Sequence, residues 1–260
     1  MTWSGEADAT GWFEPLYAAA GDGSAVLPWA RGGPHPLLAP WTSALGLRGE
    51  GRPALVVGSG PGDDAELVAA LGFDTVAFDV APSAISMARA RFPDSAVDYR
   101  TADLLDPPVE WERAFDLVVE VFTVQSLPDP PRAQAILNVG RMVATGGTLL
   151  VVAAVRDGDP VAGPPWPLAR SEVEGFASGG LEPVQIERVA APGKPGEYRW
   201  RAEFARAPRP PGAPRGATAA WRCRATPKDV VAARRLSGRT SLSTGHSPDS
   251  RTFAPLLRRA

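Results

Sequence analysis

Cysteine is almost absent from this 260-residue chain: Cys223 stands alone. One thiol forms no internal disulfide. With His35 and His246 as the only histidines, no Cys/His cluster offers a metal site, so no metal is expected. Lysine is nearly as scarce, at Lys194 and Lys228. No apolar run approaches the roughly 18–20 residues that cross a bilayer, and no membrane partner is expected. The opening stretch, MTWSGEADATGWFEPLY, carries acids and no basic segment, unlike a secretory signal. The overall charge of −2 gives no global attraction to nucleic acid. These absences predict a soluble cytoplasmic protein. The 44% of hydrophobic residues are enough for a sizeable core.

The charge is unevenly spread. Residues 207–260 carry eleven Lys/Arg against two acids, Asp229 and Asp249, so the preceding 206 residues are strongly acidic. This last stretch is rich in Pro, Gly, Ser, Thr and Arg and has little apolar periodicity. Such a composition does not bury enough surface to offset the entropy of ordering. It reads either as a disordered extension or as a basic arm for nucleic acid or lipid. Nucleic acid is otherwise not expected as a partner.

Residues 1–46 read as a helical cap, with helices near Gly11–Ala20 and Pro36–Leu45 around a Pro/Gly loop, LPWARGGPHP. Residues 47–206 then alternate. Short apolar runs at 53–58, 74–80, 115–122 and 147–155, with a further strand in SAVDYRTAD, read as buried strands. Helical spacing fills 63–72, Pro82–Arg91, Pro131–Val143 and Arg170–Ala177. Two final strands, Glu182–Val189 and Glu197–Ala205, flank APGKPG. The pattern predicts an α/β, Rossmann-like, doubly wound sheet, mostly parallel, with an antiparallel hairpin at its C-terminal edge.

The first strand runs into Gly58-Ser59-Gly60-Pro61-Gly62 and then a helix. Glycines there permit turns closed to other residues and let a ligand approach the backbone. A dinucleotide fingerprint needs Gly at the sixth position from Gly58, and that position is Asp63. Asp63 and Asp64 would repel a pyrophosphate but accept a ligand carrying an ammonium and a sulfonium. Either also fits the role of a helix cap. Asp79 lies 21 positions beyond Gly58 at a strand end, where a carboxylate accepts two hydrogen bonds from a ribose diol or caps the next turn. Asp103, after the third strand, either meets an adenine amino group or shapes its own turn.

Together these segments resemble class I methyltransferases, and more narrowly the thiopurine and thiol/halide methyltransferase family, over about residues 12–206. GRPALVVGSGPGDDAELVAALG is similar to that family's first motif. VAFDVAPSAISMAR is similar to its second-strand segment, with Asp79 in the ribose position. FDLVVEVFTVQSLP resembles its fourth strand, with Glu120 where Asp is more usual. GPPWPLARSEVEGF resembles a segment bordering the substrate pocket, and LPWARGGPHPLL a Pro-Trp loop over the cofactor.

The resemblance implies S-adenosyl-L-methionine as cofactor and a small-molecule acceptor, a thiol or other sulfur nucleophile first. An O- or C-methyltransferase of a small aromatic metabolite and a non-catalytic cofactor-binding protein are the alternatives. Cofactor contacts are expected from Trp29, Gly58, Ser59, Gly60, Gly62, Asp79, Val80, Asp103, Leu104 and Glu120. Substrate contacts are expected from Trp12, Phe122 and Trp166, whose rings also suit a nearby sulfonium. Glu120 is equally open to orienting the acceptor. No catalytic base is assigned. His35 is read as packed or solvent-facing, and no His or Lys is expected where it would deprotonate a reluctant hydroxyl.

Overall fold

The computed structural model describes residues 9–208. The basic stretch therefore lies outside the described residues, apart from Ala207 and Pro208. The elements are helices α1 (Phe13–Gly21) and α2 (Leu38–Ala44), then β1 (Pro53–Val57), α3 (Asp63–Ala70), β2 (Asp74–Asp79), α4 (Pro82–Arg91) and β3 (Asp98–Thr101). There follow β4 (Phe115–Val121), α5 (Pro131–Met142), β5 (Val143–Ala154), α6 (Arg170–Glu174), β6 (Leu181–Ala190) and β7 (Tyr198–Arg206).

The seven strands form one sheet in the order β3-β2-β1-β4-β5-β7-β6. The first five are mutually parallel, and β7 runs antiparallel to both β5 and β6. The expected C-terminal hairpin is thus present, with β6 at the edge. Both faces of the sheet are covered, which is why β1 is apolar throughout and β4 is apolar apart from Asp116 and Glu120. Leu55, Val57, Phe78, Val118, Leu149 and Val151 face α5 and α6, meeting Ile136, Val139 and Phe176. Ala54, Val56, Ala77, Leu117, Val119 and Leu150 face the other way, toward Trp41 of α2, Val68 of α3 and Ile85 of α4. Each such large side chain contributes about 1.5–3 kcal/mol by leaving water. Trp41 also donates its indole N–H to Glu203 Oε2 at 2.9 Å, which fastens α2 to β7.

Several element boundaries differ from the sequence reading. Strand β5 begins at Val143, not at Gly147, because a register shift between Phe115 and Leu117 lets ATGG join the ladder as an irregular start. Helix α6 stops at Glu174, before Gly175. Two 3₁₀ turns, Val109–Trp111 and Val124–Ser126, were not expected. The second follows β4 directly and shapes the site. Among the described residues no helix is long and apolar enough to cross a membrane.

Candidate functional site

The strand order reverses between β1 and β4, and the connections leaving them diverge there. Open α/β sheets hold ligands at such a point, beyond the carboxyl ends of their strands. A cavity of about 700 Å³ lies there, walled by the glycine loop, the ends of β2 and β4, the N-terminal loop and the β6–β7 hairpin.

The glycine loop is held from below. Ser59 N–H donates to Phe78 O at 2.8 Å, and Gly60 N–H donates to Asp79 Oδ2 at 3.0 Å. Asp79 Oδ1 also accepts the Ala81 N–H at 3.1 Å. Each oxygen thus holds one backbone donor, and Asp79 still lines the cavity. Burial pushes its carboxyl up to about 6. The turn-capping and ligand-facing readings of Asp79 are therefore compatible in one side chain.

The three glycines answer to protein neighbours. A Cβ on Gly58 would lie 2.2 Å from Thr123 Oγ1, on Gly60 2.8 Å from Tyr17 Oη, and on Gly62 2.5 Å from Tyr99 Oη. All three have positive φ. Gly58 and Gly60 line the cavity, but Gly62 does not, which corrects its assignment as a contact. It is the left-handed N-cap of α3, and no side chain caps that helix. Asp63 instead pairs with Arg91 at 2.8 Å, and Asp64 Oδ1 accepts the His35 N–H at 2.6 Å. Asp64 thereby ties the N-terminal loop to the first motif. Burial raises its carboxyl above the usual range.

Trp12, Trp29, Ser59, Val80, Asp103, Leu104 and Phe122 all line the cavity. Asp103 Oδ1 accepts the Leu105 N–H at 2.8 Å, so it also shapes its own turn. Trp29 meets Trp12 edge to face at 6.2 Å, and its indole N–H donates to Tyr17 Oη at 2.9 Å. Glu14 accepts both the backbone N–H (3.0 Å) and the hydroxyl (2.6 Å) of Ser83, which fixes α1 on α4 and this aromatic wall with it. Ser59 Oγ and Trp12 Nε1 are buried without a protein partner. Both residues line the cavity.

Two further assignments are corrected. Glu120 is fully buried and lies outside the cavity wall. Strand alternation puts its side chain on the core face with Val118. Its Oε1 accepts the Thr123 and Val124 N–H groups at 2.7 and 2.9 Å, which holds the turn after β4. Burial pushes its carboxyl up to about 7. Trp166 is also outside the wall. Its ring packs under Gly163 and the Arg132 guanidinium lies 5.8 Å over it, while Pro164 and Pro165 reach the cavity in its place.

The sequence reading missed the far end of the cavity. Arg31, His35, Lys194, Glu197 and Arg199 line it, so a histidine and a lysine do border the site. Arg31, His35 and Arg199 gather around Phe122, whose φ of 62° is unusual for a bulky residue and marks a constrained position. His35 is buried, and its Nδ1 accepts the Leu37 N–H at 3.2 Å. Burial and the nearby Arg31 and Arg199 pull its pKa down to about 3. The ring is therefore neutral with its proton on Nε2, a donor and not a base. Among the described residues no group of three or more His, Cys, Asp or Glu could hold a metal ion.

Residues 54–147 match the family model for a methyltransferase domain. The sheet order, its antiparallel final strands and the solved structures below agree with that match. The fold is that of the class I methyltransferases. Over 103 residues the chain is 33% identical to a ubiquinone biosynthesis O-methyltransferase of Xanthomonas campestris pv. campestris (strain B100), covering 39% of this chain and 42% of the relative. The chain thus aligns with well under half the length of the curated relatives it matches.

Solved structures with this methyltransferase fold include one concerned with the conversion of a disulfide bond into a thioacetal group during echinomycin biosynthesis. It has a TM-score of 0.60 and 21% identity, covering 75% of this chain and 93% of that one. The [4+2]-cyclase SpnF aligns with a TM-score of 0.58 and 17% identity, over 76% and 96%. The Burkholderia thailandensis 1,6-didemethyltoxoflavin-N1-methyltransferase, with bound 1,6-didemethyltoxoflavin and S-adenosylhomocysteine, aligns with a TM-score of 0.53 and 17% identity, over 66% and 77%. A cyclase in this group shows that the fold alone does not set the reaction.

Proposed function

We propose that this chain is an S-adenosylmethionine-dependent methyltransferase acting on a small-molecule acceptor. The observation that carries the reading is Asp79, at the carboxyl end of β2, bonded to the glycine loop and still lining the cavity. Each of its oxygens keeps a lone pair for a ribose hydroxyl. Ser59 Oγ and Trp12 Nε1 add unpartnered donors in the same wall. Asp103 and Leu104 border the adenine end, and Val80 lies between. The rings of Trp12, Trp29 and Tyr17 line the side where a sulfonium would sit, a favourable setting for a cation.

When bound, S-adenosylmethionine supplies an already activated methyl group, so the protein's contribution is proximity and orientation. The aromatic wall excludes water and holds the two reactants in line. Tyr17 is a neutral phenol, because burial drives its ionisation upward. Glu120 acts from the core, by holding the turn that follows Phe122. None of these groups is placed as a general base, which suits an acceptor that ionises readily.

The narrower resemblance to thiopurine and thiol/halide enzymes favours a sulfur acceptor. The ubiquinone-pathway relative favours a second reading, O-methylation of a small aromatic compound. Thermal-shift measurements with S-adenosylmethionine, S-adenosylhomocysteine and NAD test the cofactor: the first two should raise the melting temperature and NAD should not. Turnover of labelled cofactor against thiols, halides, phenols and carboxylates then separates an enzyme from a non-catalytic binder. A phenol outrunning every sulfur nucleophile tenfold in kcat/KM would replace the sulfur reading with the oxygen one.

A further inference from the structure

The cavity is electrically two-ended. Asp79 and Asp103 border the glycine-loop side, and cations collect at the other. The Arg31 guanidinium lies 5.9 Å from the Phe122 ring centroid and that of Arg199 lies 5.6 Å from it. The His35 ring meets the same phenyl edge to face at 5.1 Å. Lys194 and Glu197 come from the same hairpin as Arg199 and complete the cluster.

The charges do not cancel. Glu197 pairs with Arg199 at 2.6 Å and reaches Lys194 only at 3.8 Å. Asp64, the other carboxylate nearby, gives Oδ1 to the His35 N–H. Among the described residues Arg31 forms no salt bridge, and Asp64 is a carboxylate within its field. Three cations against two carboxylates leave a surplus of one positive charge. Burial keeps His35 neutral first, and the nearby Arg31 and Arg199 add to that.

We propose that the methyl acceptor carries a carboxylate, held by Arg31 and Arg199 beside Phe122 with the His35 Nε2–H as a further donor. This rests on the methyltransferase reading and adds the acceptor's chemical class. A surplus of one charge matches a monoanion. The planar guanidinium fork fits a carboxylate, and Phe122 offers a flat surface to the ring or unsaturated body that bears it. The anionic group serves to anchor the acceptor and is separate from the sulfur or oxygen that receives the methyl.

The test is calorimetric, on the full chain saturated with S-adenosylhomocysteine. The probes are two acids, 2-mercaptobenzoate and 3,4-dihydroxybenzoate, each beside its methyl ester. At least one acid should bind about tenfold tighter than its ester, whichever nucleophile the enzyme prefers. That preference should disappear in Arg31→Ala and shrink in Arg199→Gln. Arg31 is exposed, so its loss leaves the fold intact, and S-adenosylhomocysteine affinity should stay within twofold. Acids that bind no better than their esters, or do not bind, overturn the proposal. A tenfold loss of S-adenosylhomocysteine affinity in Arg31→Ala also overturns it, by assigning the arginine to the cofactor's own carboxylate. If S-adenosylhomocysteine does not bind the unaltered chain, the methyltransferase reading itself fails, which is a separate result.

Discussion

Asp79 Oδ2 accepts the backbone N–H of Gly60 at 3.0 Å, so the carboxylate proposed to hold the ribose also staples the loop beside it. Removing that carboxylate has two consequences. Asp79→Ala should weaken S-adenosylmethionine at least tenfold and also lower stability by about 1–3 kcal/mol, because two buried N–H groups lose their acceptor. Calorimetry reads the first effect and denaturant melts the second. Lost affinity with unchanged stability would show that the staple matters little. Unchanged affinity would remove Asp79 from the binding site.

Cofactor affinity should depend on pH through the same group. Burial raises the Asp79 pKa to about 6 in the free protein. Ribose hydroxyls donate to the ionised form, so binding favours the carboxylate. Affinity should be flat above pH 7 and fall about tenfold per unit below pH 6. A dissociation constant for S-adenosylhomocysteine that does not change between pH 5 and 7.5 would count against this arrangement.

Glu120 makes an opposite demand on stability. Its folded pKa is about 7 against an ordinary 4.5. The folded state therefore prefers the protonated acid. Its stabilising effect is full below about pH 4.5 and is lost as pH rises through 7. Gln at this position keeps an oxygen for the Thr123 and Val124 N–H groups and carries no charge. Glu120→Gln should match the wild type near pH 4.5 and exceed it at pH 8 by on the order of 1–3 kcal/mol. Equal melting curves at pH 8 would mean that Glu120 is ionised at little cost.

Gly58 should tolerate no side chain while Thr123 stands opposite it. The added Cβ would fall 2.2 Å from Thr123 Oγ1, at a φ of 59°. That hydroxyl also donates to Val57 O at 3.0 Å, so it is not free to swing away. Gly58→Ala should destabilise by about 2–4 kcal/mol, part overpacking and part backbone conformation. Adding Thr123→Ala should recover the overpacking part only. Full recovery, or none, in thermal melts of the double variant would contradict this division.

Much of the scaffold was determined by the sequence alone, because its signals are local. Apolar runs bounded by Gly and Pro located the strands of the sheet, and Pro82 and Arg91 bound α4 as expected. The glycine loop followed by an acid at the next strand end placed the cavity, since positive-φ turns and strand termini depend on near neighbours. The walls of the site were decided by tertiary structure. Period-two alternation puts Glu120 with Val118 in the core, yet its acidic character suggested a ligand. The positive φ at Phe122 then breaks the period, so the chain pattern no longer says which way the next side chains face. Trp166 packs under Gly163 and the Arg132 guanidinium, and Gly62 sits against Tyr99; Arg132 and Tyr99 are both distant in sequence from the residues they hold. Arg199 reached Phe122 because β7 pairs antiparallel with β5, which turns the hairpin loop back over the cavity. Local composition carries no record of such a pairing: the register between distant strands is set by the packing of the whole sheet, and only that packing brings the basic end of the cavity together.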